Sequence, residues 1–274
     1  MKNFPPFNHW LRTGLLCLLI LFVNDVPSRG QNEVRQTVTL KIMTYNILHG
    51  ATVKGDFNLD TIAAVIRRAD PDLVALQEVD FRTGRVNQMD LALEMAKRTD
   101  LTPFFGKAMD YDGGAYGEAI LSKYPAESME VHHLGAGEGH EPRAALRVEI
   151  DLMNDERIEF IGTHLDHTQD PTDRIYQAKA LNHILSGLNN PAILAGDLNA
   201  TPGSRPIDIL LERWAMTADT PAEPTYPSGS PERKLDYILY HPEERWKVVD
   251  RKVIEEKVAS DHRPYVVTLQ LIPQ

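Results

Sequence analysis

Asn46, Glu78, His164, Asp197, Asn199, Asp236, Asp261 and His262 share one place in the sequence pattern: each closes or interrupts an apolar, strand-like run. The runs are "IMTYN", "LVALQE", "FIGTH", "AILAGDLN", "KLDYIL" and the "SDH" that precedes "RPYVVTL". Carboxylates at the mouths of buried strands are costly unless they are paired or bound to a cation. Several such groups at strand ends point to one shared site. The chemistry they fit is phosphoester hydrolysis with a hard cation. Mg2+ takes oxygen ligands, commonly one or two carboxylates with water and substrate phosphate. Glu78, Asp261 and the amide of Asn46 are donors of that kind. Asp197 with Asn199 suits a base, or an orienting pair, for an attacking water. His164 and His262 suit donors to the non-bridging phosphoryl oxygens. Each imidazole needs a carboxylate behind it to fix its tautomer.

Every one of these residues also has an ordinary reading. Asn46 caps a turn before "LHG", and Glu78 ends a strand in solvent. "GDLN" is a turn, because Gly, Asp and Asn favour turns. His262 is a satisfied core histidine, Asp261 an N-cap, and Asp236 the partner of Lys234 or Arg233. These readings leave the recurrence of polar groups at strand ends unexplained.

The elements that must position them are legible in outline. Strand-like runs occur at "TLKIMTYNI", "LVALQEV", "EAILSK", "AALRVEID", "RIEFIGTHL", "AILAGDLN", "LDYILYH" and "YVVTLQLI", most of them rich in β-branched residues. "NLDTIAAVIRRA" places Leu59, Ile62, Ala63 and Ile66 on one helical face. It stops before "DPD", where Pro71 disfavours helix at Asp70. "QMDLALEMAKRT" and "PTDRIYQAKALNHILSGL" read as helices too. Strands and helices intermingle with no repeat, low-complexity segment or linker between them. The expectation is one α/β domain over residues 37–272, with strands in sheets under outer helices.

"MTYNILHG", "ALQEVD", "GEAILSKYP", "THLDH", "GDLNATP", "LDYIL" and "SDHRP", in that order, resemble the endonuclease/exonuclease/phosphatase superfamily. Deoxyribonuclease I, exonuclease III, bacterial sphingomyelinases and inositol polyphosphate 5-phosphatases belong to it. The resemblance spans residues 38–271. It implies a four-layered α/β sandwich: two mixed sheets face to face, with helices outside. It also implies that Asn46 and Glu78 sit at a metal, Mg2+ or Mn2+, which Asp261 helps to hold. By the same resemblance Asp197 and Asn199 serve the water, His164 and His262 contact the phosphate, and Asp236 orients His262. Glu118 falls where one branch of the family pairs a Glu with the first catalytic histidine, which implies a Glu118–His164 pair. Tyr116 and Arg143 resemble positions that line the cleft and meet substrate.

Other polar groups are read as structural. His132, His133 and His140 fall in a loop-like stretch, "EVHHLGAGEGHEPR", and are expected in solvent, with a transition-metal cluster as the rival reading. Asp166 and His167 are left outside the core site, and Arg174 is expected to anchor a helix start. The first thirty residues stand apart. Lys2 and Arg12 precede the apolar "GLLCLLILFV", and Ser28 and Gly30 offer small residues for cleavage before Gln31. That pattern is a signal peptide at 1–30 and implies export; an uncleaved membrane anchor is the rival, but its apolar run is short. Cys17, the single cysteine, lies in that segment, so catalysis by cysteine is excluded for the processed chain. The whole chain carries a net charge of −10. Residues 1–30 hold three basic groups and one acidic group, so 26 basic and 38 acidic groups remain, a net of −12. Non-specific nucleic-acid binding depends on phosphate neutralisation, so an acidic monomer acting on a small or lipid-derived phosphoester is favoured. A secreted nuclease is the alternative, and a catalytically silent binding module is the alternative of another class. "DTPAEPTYPSGSPERK" is polar and offers no apolar hairpin for a membrane.

Overall fold

Strands with apolar side chains on both faces take the middle of each sheet, and strands with a wet face take the edges. The computed structural model describes residues 37–152 and 156–273, so the expected signal segment at 1–30 lies outside the described residues. The first sheet runs, in spatial order, β11 (Trp246–Val253), β12 (Tyr265–Leu271), β1 (Val38–Asn46), β2 (Leu73–Phe81), β4 (Gly114–Ser122) and β3 (Thr102–Tyr111). The second runs β5 (Ala126–Gly135), β6 (Arg143–Asp151), β7 (Arg157–His164), β8 (Ala192–Asp197), β10 (Asp236–His241) and β9 (Ala215–Met216). Both sheets are mixed, because β1–β2 and β7–β8 are parallel while their neighbours are antiparallel.

The two sheets face each other across an apolar layer. Leu40, Ile42, Ala75 and Ile120 of the first pack in one cluster with Leu146, Phe160 and Ile193 of the second. Helices α1 (Leu59–Ala69) and α2 (Leu91–Thr99) cover the outer face of the first sheet, where Ile62, Ile66 and Met95 join Met43, Leu76 and Leu121. Helices α3 (Thr172–Leu185) and α4 (Arg205–Leu210) cover the second, with Leu181 and Ile207 beside Ile161 and Leu194. The result is the expected four-layered α/β sandwich. Helix α1 begins where the Asn58 side chain accepts from Thr61 N at 3.1 Å, and it stops at Asp70, whose left-handed φ of 48° ends the helix before Pro71. Leu59, Ile62, Ala63 and Ile66 are buried as the periodicity requires. No helix among the described residues is long and apolar enough to cross a membrane.

The strands absent from the sequence reading are the four at the sheet edges: β3, β5, β9 and β11. An edge strand has solvent on one side, so its side chains lose the apolar alternation that marks a strand. In β5 only Leu134 is buried. His132 and His133 therefore stand on an edge strand, not in a loop.

Candidate active site

Strand register brings the polar residues together. Asn46 and Gln77 are neighbours across the parallel β1–β2 ladder, so Glu78 follows at the same sheet end. His164 is the register partner of Asp197 across β7–β8, and Asp236 is the partner of Asp197 across β8–β10. Three adjacent strand ends thus deliver an imidazole and two carboxylates side by side. Gly196 allows this closeness: a Cβ there would fall 2.1 Å from Thr163 O on β7. "GDLN" is accordingly a strand end followed by a turn, not a turn alone.

Two site residues have left-handed backbones, Glu78 at φ 59° and Asn199 at φ 47°. Glu78 sits at a register shift between Leu76 and Val79 in the β2–β4 pairing. A bulge re-aims the side chain it carries, and such backbone strain clusters at functional sites. Ser260 Oγ donates to Asn46 O at 2.7 Å, which ties the "SDH" turn to the end of β1 and places Asp261 and His262 beside Glu78 and Asp236.

The contacts assign each group. Asn46 Nδ2 donates to Glu78 Oε1 at 3.0 Å and to Asp197 Oδ2 at 3.3 Å, joining the two sheets. Its Oδ1 accepts from Leu48 N at 3.1 Å. Asn46 thus ties two carboxylates of the site together across the sheets. His262 Nδ1 lies 3.0 Å from Asp236 Oδ2, the orienting contact expected of Asp236. Both His262 Nε2 and His164 Nε2 lie 3.5 Å from Asp197 Oδ2. Asn199 N donates to Asp197 Oδ1 at 2.9 Å, and Asn199 Nδ2 lies 3.0 Å from His164 Nε2.

Electrostatics separates the two histidines. Burial opposes charge on His262, yet Asp236 and Asp197 outweigh it and push its pKa up to about 10. His164 moves the other way, well below the ordinary value, through burial and the Arg143 guanidinium. Arg143 Nη1 lies 3.4 Å from His164 Nδ1. With donors facing both ring nitrogens, a second proton on His164 has poor company. One imidazole is thus a cation and the other is neutral. Burial also raises Asp197, against the pull of His262. Glu78 moves opposite to Asp197. Burial opposes its ionisation, but His49, at 3.5 Å, and the Asn46 amide hold its pKa down to about 2. His164 lends little to this while it is neutral. For Asp261, burial and the Glu78 charge raise the pKa against the opposing His262.

Glu118 is a correction. The expected Glu118–His164 pair does not form, because Arg143 occupies the Nδ1 side of His164. Glu118 is fully buried, and neither carboxyl oxygen has a hydrogen-bond partner. Burial, with Glu78 and Asp197 adding to it, raises its pKa well above the carboxylate range despite Arg143. A group whose folded pKa is raised stabilises the fold fully below its unfolded pKa and loses that contribution as pH rises toward the folded value. Glu118→Gln cannot ionise and removes this dependence. In urea melts with chelator, the variant should gain on wild type between pH 5 and pH 8. A constant gap across that range would contradict a neutral Glu118.

The site opens into a cleft of about 390 Å³. Glu78, Tyr116, Arg143, His164, Asp197, Asn199, Asp261 and His262 line it, as the sequence led us to expect. It also has walls that sequence reasoning missed. Arg85 is held by Asp80 through bonds of 2.6 and 2.7 Å and lies over Tyr111, 4.6 Å from the ring centroid. Opposed to the catalytic groups by type, Tyr226 packs 4.8 Å from the His262 ring and Arg233 lies 4.8 Å over Tyr226. His167, set aside above, joins Arg143 Nη2 at 3.0 Å.

A carboxylate-rich cleft closing one end of a four-layered sandwich is the arrangement of a phosphoester hydrolase. Residues 43–262 match the Endonuclease/Exonuclease/phosphatase family, and the chain belongs to it. The chain is similar to the uncharacterised protein YbhP of Escherichia coli, 28% identical over 222 residues, which covers 74% of this chain and 85% of YbhP. Its fold resembles that of an endonuclease/exonuclease/phosphatase from Beutenbergia cavernae: TM-score 0.72, 25% identity, covering 85% of this chain and 72% of that one. A mannosyl-6-phosphatase of Bacteroides thetaiotaomicron shares the fold at TM-score 0.68 and 19% identity, covering 84% of this chain and 99% of that one.

Proposed function

We propose that the chain is an exported, divalent-metal-dependent phosphoesterase whose substrate is a small or lipid-derived phosphoester. The observation that carries the substrate reading is the cleft. Its volume of about 390 Å³ lies in the range of small-molecule sites. Its lining mixes Arg85, Arg143 and Arg233 with Glu78, Glu141, Asp197 and Asp261, so it holds one phosphate group better than it tracks a polyanion. Export is supported by the basic, apolar and small-residue pattern of residues 1–30.

Glu78 and Asp261 would hold the cation, Mg2+ or Mn2+. Glu78 keeps 22% of its side chain exposed, and Asp261 is half-buried. Asp261 Oδ1 takes one long bond, 3.4 Å from Ser260 Oγ, and the Glu78 charge works against ionisation of its carboxyl. Asp197, Asp236 and His262 also bring donor atoms within 4.8 Å of one another. Those three are buried and joined by the His262–Asp236 bond, whereas Mg2+ keeps several waters and suits the open pair. A cation held there would supply Lewis acidity, polarising a phosphoryl oxygen and offsetting developing charge. Asp197, with a raised pKa and with Asn199 fixed against it, orients and deprotonates the attacking water. His262, cationic on Asp236, donates to a non-bridging oxygen. His164 is held neutral beside Arg143, and the guanidinium brings the second positive charge to the phosphate.

A secreted nuclease is the second reading, favoured by the pairing of Tyr111 and Tyr226 with Arg85 and Arg233, since aromatic and guanidinium faces stack on bases. One preparation tests both claims. Intact mass of the exported protein should show loss of the first thirty residues; a full-length chain retained inside the cell contradicts export. The same protein is then assayed on bis-p-nitrophenyl phosphate, p-nitrophenyl phosphate, sphingomyelin, phosphoinositides and plasmid DNA. Cleavage of a small or lipid ester with DNA untouched is expected. Cleavage confined to DNA makes the nuclease reading right, and silence throughout favours the binding module.

A further inference from the structure

Two groups left out of the catalytic reading, His140 and Asp166, meet in the structure. They lie 26 positions apart, in the loop after β5 and in the turn after β7, and Asp173 of the first turn of α3 joins them. One donor atom of each lies within 4.8 Å of the others. His140 Nδ1 is 2.6 Å from Asp173 Oδ2, and that oxygen also accepts from Gly137 N at 2.9 Å.

Proximity of this kind is common on protein surfaces, and the state of Asp166 sets this cluster apart. Its side chain is fully buried. Oδ2 accepts from Thr168 N at 2.9 Å and Thr168 Oγ1 at 2.5 Å, with Arg174 Nη1 at 3.5 Å. Oδ1 has no hydrogen-bond partner. A buried carboxylate oxygen without a donor is costly, and Oδ1 is the atom left free to meet a cation. Gly137 keeps the space open: a Cβ there would lie 3.2 Å from His140 Nδ1 and 3.3 Å from Asp173 Oδ1.

We propose that His140, Asp166 and Asp173 form a second divalent-cation site that takes Zn2+ and clips the loop after β5 to the start of α3. The donor set names the ion. An imidazole nitrogen with two carboxylates suits Zn2+, which completes a tetrahedron with water, whereas Mg2+ and Ca2+ favour all-oxygen shells. The clip acts on the cleft through the chain. The loop it fastens runs into Arg143, whose guanidinium contacts both His164 and His167. The site does not depend on the cation held by Glu78 and Asp261, and it stands or falls separately.

The test uses the full chain, stripped of metal and dialysed against Zn2+ alone, with bound zinc counted by elemental analysis. Wild type and His140→Ala are compared, each with and without Glu78→Gln/Asp261→Asn. His140 is exposed, so its replacement spares the core; circular dichroism checks this, and Asp173→Asn serves as an independent variant. His140→Ala and Asp173→Asn should each remove one equivalent of zinc in either background. Both should also abolish the zinc-induced rise in melting temperature that remains in Glu78→Gln/Asp261→Asn. Unchanged stoichiometry on replacing His140 and Asp173 would overturn the site, as would absence of bound zinc from Glu78→Gln/Asp261→Asn alone.

Discussion

Glu78→Ala is expected to leave a folded protein that no longer hydrolyses phosphoesters in Mg2+, and Asp261→Ala is expected to do the same. Neither side chain holds the core together. Glu78 is fixed by Asn46 and His49 at the mouth of the cleft, on a bulge whose left-handed backbone alanine also tolerates poorly, so the fold gains or loses little by the exchange. What is lost is the pair of carboxylates that balances a divalent charge. Removing Glu78 also relieves Asp261 of a like charge, which lowers the demand for a cation further. The check is turnover across a Mg2+ series, with circular dichroism for the fold. Residual Mg2+-dependent turnover near the wild-type level would move the cation elsewhere, with the buried Asp197, Asp236 and His262 trio first in line.

His262→Ala is the second large effect, a fall in turnover of ~10²–10³, as for other preorganised donors at developing charge. Alanine leaves Asp236 and Asp197 buried without their cationic partner, so His262→Gln, which keeps a neutral donor, accompanies it. Asp236→Asn separates chemistry from scaffolding. Asp236 is the first of the carboxylates holding His262 in its charged form. Its removal should bring the alkaline limit of activity down from the region of pH 10 toward the ordinary histidine range. A purely structural Asp236 would lower activity at every pH alike and leave the limit in place.

Most of the site was legible because its logic is periodic. Apolar runs closed, opened or interrupted by Asn46, Glu78, His164, Asp197 and Asp236 are interior strands, and interior strands keep the alternation that sequence reading depends on. The edge strands β3 and β11 have lost it to solvent. The walls of the cleft were hidden for a related reason. Tyr226 and Arg233 sit in "TYPSGSPERK", a polar stretch whose bridge folds one residue back on the other and whose value lies in a tilted ring packed against His262, a contact with no sequence period. The Glu118 pairing failed because two buried groups competed for His164. Arg143, fully charged and fully buried, takes the place beside Nδ1, and Glu118 is left uncharged without a partner. Spacing alone cannot rank such competitors, since the outcome depends on burial and on neighbouring charge.

Hydrolysis of phosphoesters in the cleft should require a divalent cation. The most direct measurement is turnover of bis-p-nitrophenyl phosphate by wild-type protein stripped with chelator, before and after Mg2+ is restored. Turnover that is absent with chelator and returns with Mg2+, but does not return in Glu78→Ala, is the predicted result. Equal turnover with and without chelator would contradict the account.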